Sequence, residues 1–530
     1  MELSFTRIYP ARRSAVLARN MVATSQPLAA QAGVHMLRQG GNAIDAALAA
    51  AITLVVVEPT GNGLGSDAFC IVWDGNRLHG LNASGRSPAL WNPDRFARHD
   101  VMPLRGWESV TVPGAVSAWV DLSERFGKLP FAMLFEPAVE YAQNGYCVSP
   151  VISEVWRRAA TELKGQPGYA ECFMPGGRAP EAGELFRSEA IAHSLRLIAE
   201  TKGECFYRGD LAERIADFSA KHGAALTADD LSAHRNDWCG TIKQDYGNAA
   251  LHEIPPNGQG IAALVALGIA RHLGIEDFKA DSADALHLQI EAMKLGFADA
   301  DRYVADPHHM TIVTPDDLLN PAYLAGRAAL IDRSRAQSFG AGAPKLGGTV
   351  CLSAADASGM MVSYIQSNYS GFGSGVVVPE TGISLQNRGT GFTLAPGHPN
   401  QVGGAKRPFH TIIPGFMSRD GRPHTAFGVM GGPVQAQAHL QAFLRMQLWG
   451  QDPQVTAEAP RWRFIHGLKV AIEPGAGAAV MEALQSRGHQ VTSEAPETNF
   501  GFGGAQFVST TPDGFIGGSD PRKDGLVAGF

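Results

Sequence analysis

Long apolar runs, paired cysteines and an excess of positive charge are all missing from this 530-residue chain. Each absence closes a class of function. No stretch reaches the ~18–20 consecutive apolar residues of a membrane helix; the nearest, Ala43 to Val57, is interrupted by Asp45. The first twenty residues carry Arg7, Arg12, Arg13 and Arg19 without the apolar centre of a secretory signal, so a cytoplasmic location is expected. A net charge of −7 with no basic stripe argues against nucleic acid and against a polybasic membrane anchor. The six cysteines (Cys70, Cys147, Cys172, Cys205, Cys239, Cys351) form no CxxC pair and are expected as isolated buried thiols of a reducing compartment. His308, His309, His398, His410, His424 and His439 show no HExxH or comparable ligand spacing, so neither metal nor cofactor is expected. No GxSxG elbow exists, which argues against an α/β-hydrolase. Gly61-Asn-Gly-Leu-Gly65 lacks GxGxxG spacing, a preceding apolar strand and an acid ~20 residues on, so it does not read as a dinucleotide loop.

What is present is a hydrophobic share of 45% with 61 Gly and 32 Pro, the composition of a loop-rich globular enzyme with an ample core. Gln26 to Val57 reads as two helices broken at Gln39-Gly40-Gly41-Asn42, where glycine after a helical run is a natural C-cap. Phe69–Trp73 and Arg77–Leu81 read as a short hairpin, and Gly114–Phe126 and Pro130–Ala142 as helices. Ser282 is placed to cap a helix whose Ala285, Leu288, Ala292 and Leu295 keep helical spacing. From Thr349 onward the pattern turns to short strands with Gly-rich turns and one long helix from about Val434 to Trp449.

Thr349 is the most informative position. It follows a Gly/Ala/Ser/Pro-rich connector, Ser334 to Gly348, whose composition favours exposed backbone, and it opens the strand-like run to Asp356. A strand-initiating Thr after a turn accounts for Gly-Thr alone. Cleavage of the Gly348–Thr349 bond, however, would place a free α-amine beside the Thr hydroxyl, a compact base–nucleophile pair. Asp356-Ala-Ser-Gly359 is turn chemistry. Taking those four residues as the loop pairs Ala355 with Met360 and Thr349 with Gln366, so Gln366, Ser367 and Asn368 gather near the Thr349 hydroxyl to within a residue of register.

With these residues in view, the chain resembles the gamma-glutamyltranspeptidase family of N-terminal-nucleophile hydrolases. The carrying motifs are Gly40-Gly-Asn-Ala-Ile-Asp-Ala-Ala47, Thr111-Val-Pro-Gly-Ala115, Phe206-Tyr-Arg-Gly209, Ile254-Pro-Pro-Asn-Gly258 and Ser282-Ala-Asp-Ala285. After Thr349 they continue through Phe372-Gly-Ser-Gly375, Thr381-Gly-Ile383, Lys406-Arg-Pro408 and Gly431-Gly432. The resemblance implies an α+β fold, a four-layer αββα sandwich forming a single large domain from two autoprocessed subunits, 1–348 and 349–530. It implies cleavage at Gly348–Thr349, Thr349 as nucleophile and α-amine base, Ser367 as a second hydroxyl beside it, and the Gly431 and Gly432 N–H groups as oxyanion hole. The implied partners are a small-molecule amide and the two subunits themselves.

The chain also departs from the glutamyl-transferring members. Where they hold the substrate α-carboxylate with an Arg set a few residues before a Pro and with two adjacent serines, this chain has Arg86 two residues before Pro88, and His410-Thr411. Where they hold the α-amino group with an acid about four residues beyond the position of Asn387, this chain has Gly391, and supplies Arg388 instead. Arg86, Asn387, Arg388, His410 and Thr411 are therefore the candidate substrate contacts. Losing a carboxylate and gaining a guanidinium favours an anionic acyl group over a zwitterionic one. The short segment between Phe392 and Lys406 also implies that a lid loop is missing. This pattern resembles the acylase-like and oxamate amidohydrolase-like branch, with hydrolysis of an oxamate-type or glutaryl/acylase-type amide through an acyl-enzyme. The alternatives are a gamma-glutamyltransferase/glutathione hydrolase and a catalytically silent metabolite-binding member.

Overall fold

The computed structural model describes residues 12–340, 348–496 and 501–530. Two seven-stranded sheets form its centre. In the first, the strand order is Leu526–Gly529, Met21–Thr24, Gly348–Ala355, Met361–Tyr369, Asp67–Trp73, Leu78–Asn82 and Asp237–Trp238. In the second it is Val16–Ala18, Gly514–Ser519, Gly504–Thr511, Arg422–Met430, Gly415–Arg419, Ala249–Glu253 and Ile242–Tyr246. All neighbouring strands in both sheets are antiparallel. Chain from before and after Thr349 contributes to both sheets, so the halves on either side of that residue are interleaved.

Period-two alternation divides the strand residues between two faces. On the strand from Gly348, Val350, Leu352 and Ala354 pack outward with the helix Ala43–Val57, while Cys351 packs inward with Phe69, Ile71 and Ile365 against Phe416, Ala426 and Val508 of the second sheet. On the strand Arg422–Met430, Phe427 and Val429 turn outward to the helices Gly260–Ala270 and Val434–Gln447. Three apolar layers between four structural layers make the αββα sandwich. Each fully buried large aliphatic side chain in them stabilises by ~1.5–3 kcal/mol.

The helix Ala43–Val57 is buried at all fifteen positions, which is why its sequence is apolar all round rather than striped. Its start is fixed by a capping box: Asn42 Oδ1 accepts from the N–H of Ile44 and Asp45, and Asp45 accepts from Asn42 N–H. The Gln39–Asn42 break and the Ser282 cap fall where the pattern places them, with helices at Pro27–Arg38, Ala43–Val57 and Ala283–Tyr303. The span expected as one helix from Pro130 instead begins as a 3₁₀ segment, Phe131–Phe135, and becomes α-helical at Glu136–Asn144. All six cysteines are free, but only Cys70, Cys205 and Cys351 are buried; Cys172 is half-buried, and Cys147 and Cys239 are exposed. No helix among the described residues is long and apolar enough to cross a membrane.

The connector expected over 334–348 is described to residue 340 and again at Gly348; residues 341–347 lie outside the described residues. Its first part is moored. Glu291 accepts from Gln337 N–H at 3.2 Å, and Lys294 donates to Gln337 O at 2.9 Å. His287, Glu291 and His489 lie close enough together to suggest a metal cluster, but the Lys294 ammonium, 2.6 Å from Glu291 Oε1, already supplies the cation there.

Candidate active site

Thr349 sits at an irregularity in the first sheet. Gly348 pairs with Tyr369 and Val350 with Gln366, so two residues, Ser367 and Asn368, oppose the single Thr349. Such a bulge bends the strand and re-aims a side chain, a device common beside active sites. The register differs by one from the four-residue-loop expectation, because Ala355 pairs with Met361 and the Asp356 N–H reaches back to Met360 O. The polar group foreseen at the hairpin end is present. Thr349 Oγ1 donates to Ser367 Oγ at 3.2 Å, and Ser367 Oγ also accepts from Tyr369 N–H at 2.7 Å. Tyr369 holds a left-handed backbone (φ 76°), a conformation that costs a non-glycine residue energy and tends to persist where the surroundings enforce it.

Across the sheet interface, the strand Arg422–Met430 ends in the Gly431-Gly432 turn and leads into the helix Val434–Gln447. Both glycines have positive φ, 126° and 65°, and a Cβ on Gly431 would lie 2.9 Å from Gly503 Cα. The Gly432 carbonyl accepts from Gln259 Nε2 at 2.9 Å and from Gln435 N–H at 3.1 Å. Neither glycine N–H is engaged among the described residues. Gln435 joins this turn to the hairpin: its Nε2 lies 3.4 Å from Thr349 Oγ1.

Beyond Tyr369 lies a cavity of about 750 Å³. Its walls include Met102, Phe297, Val304, Phe392, Leu394 and Phe409, and its polar lining includes Arg388 and Thr411 together with Asp100, Asp301, His398 and Asn400. Arg388 is 2% exposed. Its Nη1 donates to Thr411 Oγ1 at 2.8 Å and its guanidinium stacks 4.9 Å from the Tyr369 ring centroid, but Nε and Nη2 have no hydrogen-bond partner among the described residues. Burial pulls the Arg388 pKa down to about 10, opposed by the carboxylate of Asp67 and the phenol of Tyr369. A buried cation in the wall of a cavity, with two N–H donors unmatched, is an anion site in waiting, because an unmet buried donor incurs its full desolvation cost.

The remaining expected contacts are placed differently. Arg86 is not among the cavity-lining residues; its guanidinium, 34% exposed, pairs at 2.8 Å with the buried Asp306 and is committed to that ion pair. His410 does not line the cavity either. It is fully buried, accepts at Nδ1 from Ile412 N–H (3.3 Å), and faces Asp67 Oδ2 with Nε2 at 3.1 Å. Burial, then the charges of Arg388 and Arg407, holds its pKa well below the usual imidazole value, so this is a neutral ring donating to Asp67. Asn387 uses both ends of its amide on backbone, accepting from Ser370 N–H and donating to Leu104 O. It therefore shapes the loops around Arg388 from behind. At Gly391 a Cβ would collide with the Phe409 carbonyl oxygen, so the position where an acid was sought has no room for any side chain.

Two groups were not legible as functional. Asp67 is fully buried and accepts from Gly85 and Gly114 N–H as well as His410; burial raises its pKa to about 7 against the opposing charge of Arg388. An acid directly after Gly65-Ser66 at the start of an apolar strand is the signal that could have marked it. Gln435 could have been suspected as a lone polar residue between Val434 and Ala436, one turn after the glycine pair.

A threonine at a sheet bulge between two facing antiparallel sheets, with helices outside both, defines the class of N-terminal-nucleophile hydrolases. The gamma-glutamyltranspeptidase family model matches residues 29–530, and the chain belongs to that family. It is 36% identical to the oxamate amidohydrolase proenzyme of Klebsiella pneumoniae, covering 98% of this chain and 99% of the relative. It is 35% identical to the glutathione hydrolase-like YwrD proenzyme of Bacillus subtilis, covering 98% and 100%. The crystal structure of cephalosporin acylase from Bacillus halodurans superposes with a TM-score of 0.96 at 45% identity, over 100% of this chain and 99% of the acylase. The chain is thus an enzyme of the amidohydrolase and acyltransferase kind found in this family.

Proposed function

We propose that this chain is a self-cleaving N-terminal-threonine amidohydrolase for small amides whose acyl part carries a carboxylate. The observation that carries the substrate reading is Arg388, buried in the wall of the cavity with two guanidinium nitrogens unmatched. A planar guanidinium presents paired donors that fit a carboxylate. No carboxylate stands at position 391 to take a substrate ammonium, and the backbone there admits none. The relatives named as oxamate amidohydrolase and cephalosporin acylase support the same direction.

Processing comes first. Thr349 Oγ1 attacks the Gly348 carbonyl carbon, the Gly348–Thr349 C–N bond breaks, and the hydroxyl proton ends on the departing amine. The ester left on Oγ1 is hydrolysed by water, giving a Gly348 carboxylate and a mature Thr349 with free amine and hydroxyl. The subunits are then 1–348 and 349–530, held together by the shared sheets. In turnover the Thr349 amine takes the hydroxyl proton as Oγ1 attacks the substrate amide, and the leaving amine receives it. The Gly431 and Gly432 N–H groups receive the acyl oxygen, a contribution of ~2.7–4 kcal/mol for one such donor. Water then resolves the acyl-enzyme. The chain's free cysteines fit the cytoplasmic placement we expect.

The test compares kcat/KM for a glutaryl amide, oxamate and glutathione, each with and without glycylglycine. Preference for the first two, unmoved by acceptor, is the expected result. A preference for glutathione that glycylglycine strongly stimulates would return the chain to the transpeptidases. No turnover of any amide after self-cleavage would leave the silent, metabolite-binding reading.

A further inference from the structure

We propose that Gln435 is a catalytic residue whose side-chain N–H donates to the nucleophile oxygen, Thr349 Oγ1, and stabilises the negative charge that oxygen carries as acyl bonds to it form and break. This rests on the reading of Thr349 as nucleophile. The orientation of the Gln435 amide is settled by its other end. Oε1 lies 3.0 Å from the backbone N–H of Ile413, a group that can only donate, so the oxygen must face Ile413 and the NH₂ must face Thr349. Gln435 is fully buried and sits in the first turn of its helix, anchored by its own N–H on the Gly432 carbonyl. It is therefore held from both sides of the glycine turn.

The result is a directed chain of hydrogen bonds: Gln435 Nε2–H to Thr349 Oγ1, Thr349 O–H to Ser367 Oγ, and Tyr369 N–H to Ser367 Oγ. The glycine pair faces the acyl oxygen, whereas Gln435 faces the attacking one. As Oγ1 loses its proton and gains charge, the 3.4 Å contact strengthens from a neutral to a charge-assisted hydrogen bond. The same donor stabilises Oγ1 as a leaving oxygen when water releases the acyl group. It serves self-cleavage too, where the Thr349 nitrogen is still an amide and cannot act as base.

Gln435→Glu separates the two ends of the side chain. One carboxylate oxygen still accepts from Ile413, while the other replaces the donor with an acceptor. Protonation restores an O–H that can donate to Thr349. At alkaline pH, self-cleavage of the isolated precursor, or acylation by mature enzyme where the variant matures, should be roughly tenfold to a hundredfold slower than wild type. It should recover toward the wild-type rate as pH falls through the carboxyl titration, with far-UV dichroism unchanged. Wild-type rates for Gln435→Glu at alkaline pH, or a ratio of variant to wild-type rate that rises with pH, would overturn the proposal. Should the buried carboxylate unfold the chain, Gln435→Met decides: slow at every pH without acid recovery is expected, and equality with wild type overturns the proposal. If Thr349→Ala itself still cleaves, the nucleophile reading fails first and for a separate reason.

Discussion

Replacing Arg388 by Met should turn the enzyme from one that prefers a charged acyl group into one that does not. Met approximates the length of the arginine stem, so the cavity keeps its wall while losing the cation. The structure limits what else is lost: among the described residues the only hydrogen bond made by the guanidinium is that to Thr411 Oγ1, and its other two nitrogens are buried without a partner. A hydrogen bond to a charged group is worth ~1.5–3 kcal/mol. At ~1.4 kcal/mol per decade, kcat/KM for a glutaryl amide should fall by roughly tenfold to a hundredfold. The matched valeryl amide, which has no carboxylate, should change by less than about threefold because it never used the donor. Stability should hold or rise slightly, since burying an unpaired cation costs free energy that Met does not. The assay is the ratio of the two kcat/KM values in wild type and variant, with the melting temperature as control. An unchanged ratio in a folded Arg388→Met enzyme would refute the placement of the substrate carboxylate.

Three further outcomes follow from the same geometry. Ser367→Ala should slow self-cleavage and turnover by about tenfold without unfolding, as it removes one neutral hydrogen bond on the nucleophile; Gly432→Val should be worse, because its φ of 65° disfavours a β-branched residue. Normal turnover in both would displace the site. Asp67, with a pKa raised to about 7 by burial, should carry a pH dependence: protonated below that value it leaves Arg388 uncompensated, and ionised above it competes with a substrate carboxylate. KM for the glutaryl amide should therefore rise as pH passes upward through about 7, and Asp67→Asn should flatten that rise. The same raised pKa means that the native state holds this proton more tightly than the unfolded chain, so its contribution to stability is present at acid pH and lost on passing upward through about 7; a melting temperature that climbs across that window relative to Asp67→Asn would contradict this. Finally, Gly391→Asp should not create a glutathione enzyme, because its side chain would meet the Phe409 carbonyl; the expected readout is lost stability with no gain in glutathione turnover.

Much of this architecture was legible before any coordinates because local chemistry decided it. The Asn42 and Ser282 caps and the Asp356–Gly359 turn act within a few residues of themselves. The hairpin register was off by one because the connection takes five residues, Asp356 to Met360, where the turn chemistry suggested four, and the bulge at Thr349 leaves little trace in the apolar alternation. The substrate contacts were harder, for the opposite reason. Whether an arginine points into a cavity depends on what stands beside it in space. Arg86 is claimed by Asp306, 220 positions away, and His410 by Asp67, 343 positions away. Arg388 stays uncommitted because no acid lies within ion-pair distance of it among the described residues, a fact that no motif encodes. Asn387 precedes Arg388 in the chain, but its amide is consumed by the Ser370 and Leu104 backbone.

The most direct test of the account is the mass of the purified protein and of its Thr349→Ala variant. Wild type should yield two fragments, residues 1–348 and 349–530, the second beginning at an unmodified Thr349, and it should hydrolyse amides only after that cut. The Thr349→Ala chain should remain whole and inactive. A wild-type chain that stays intact yet hydrolyses amides, or a Thr349→Ala chain that still divides at the same bond, would contradict the central claim.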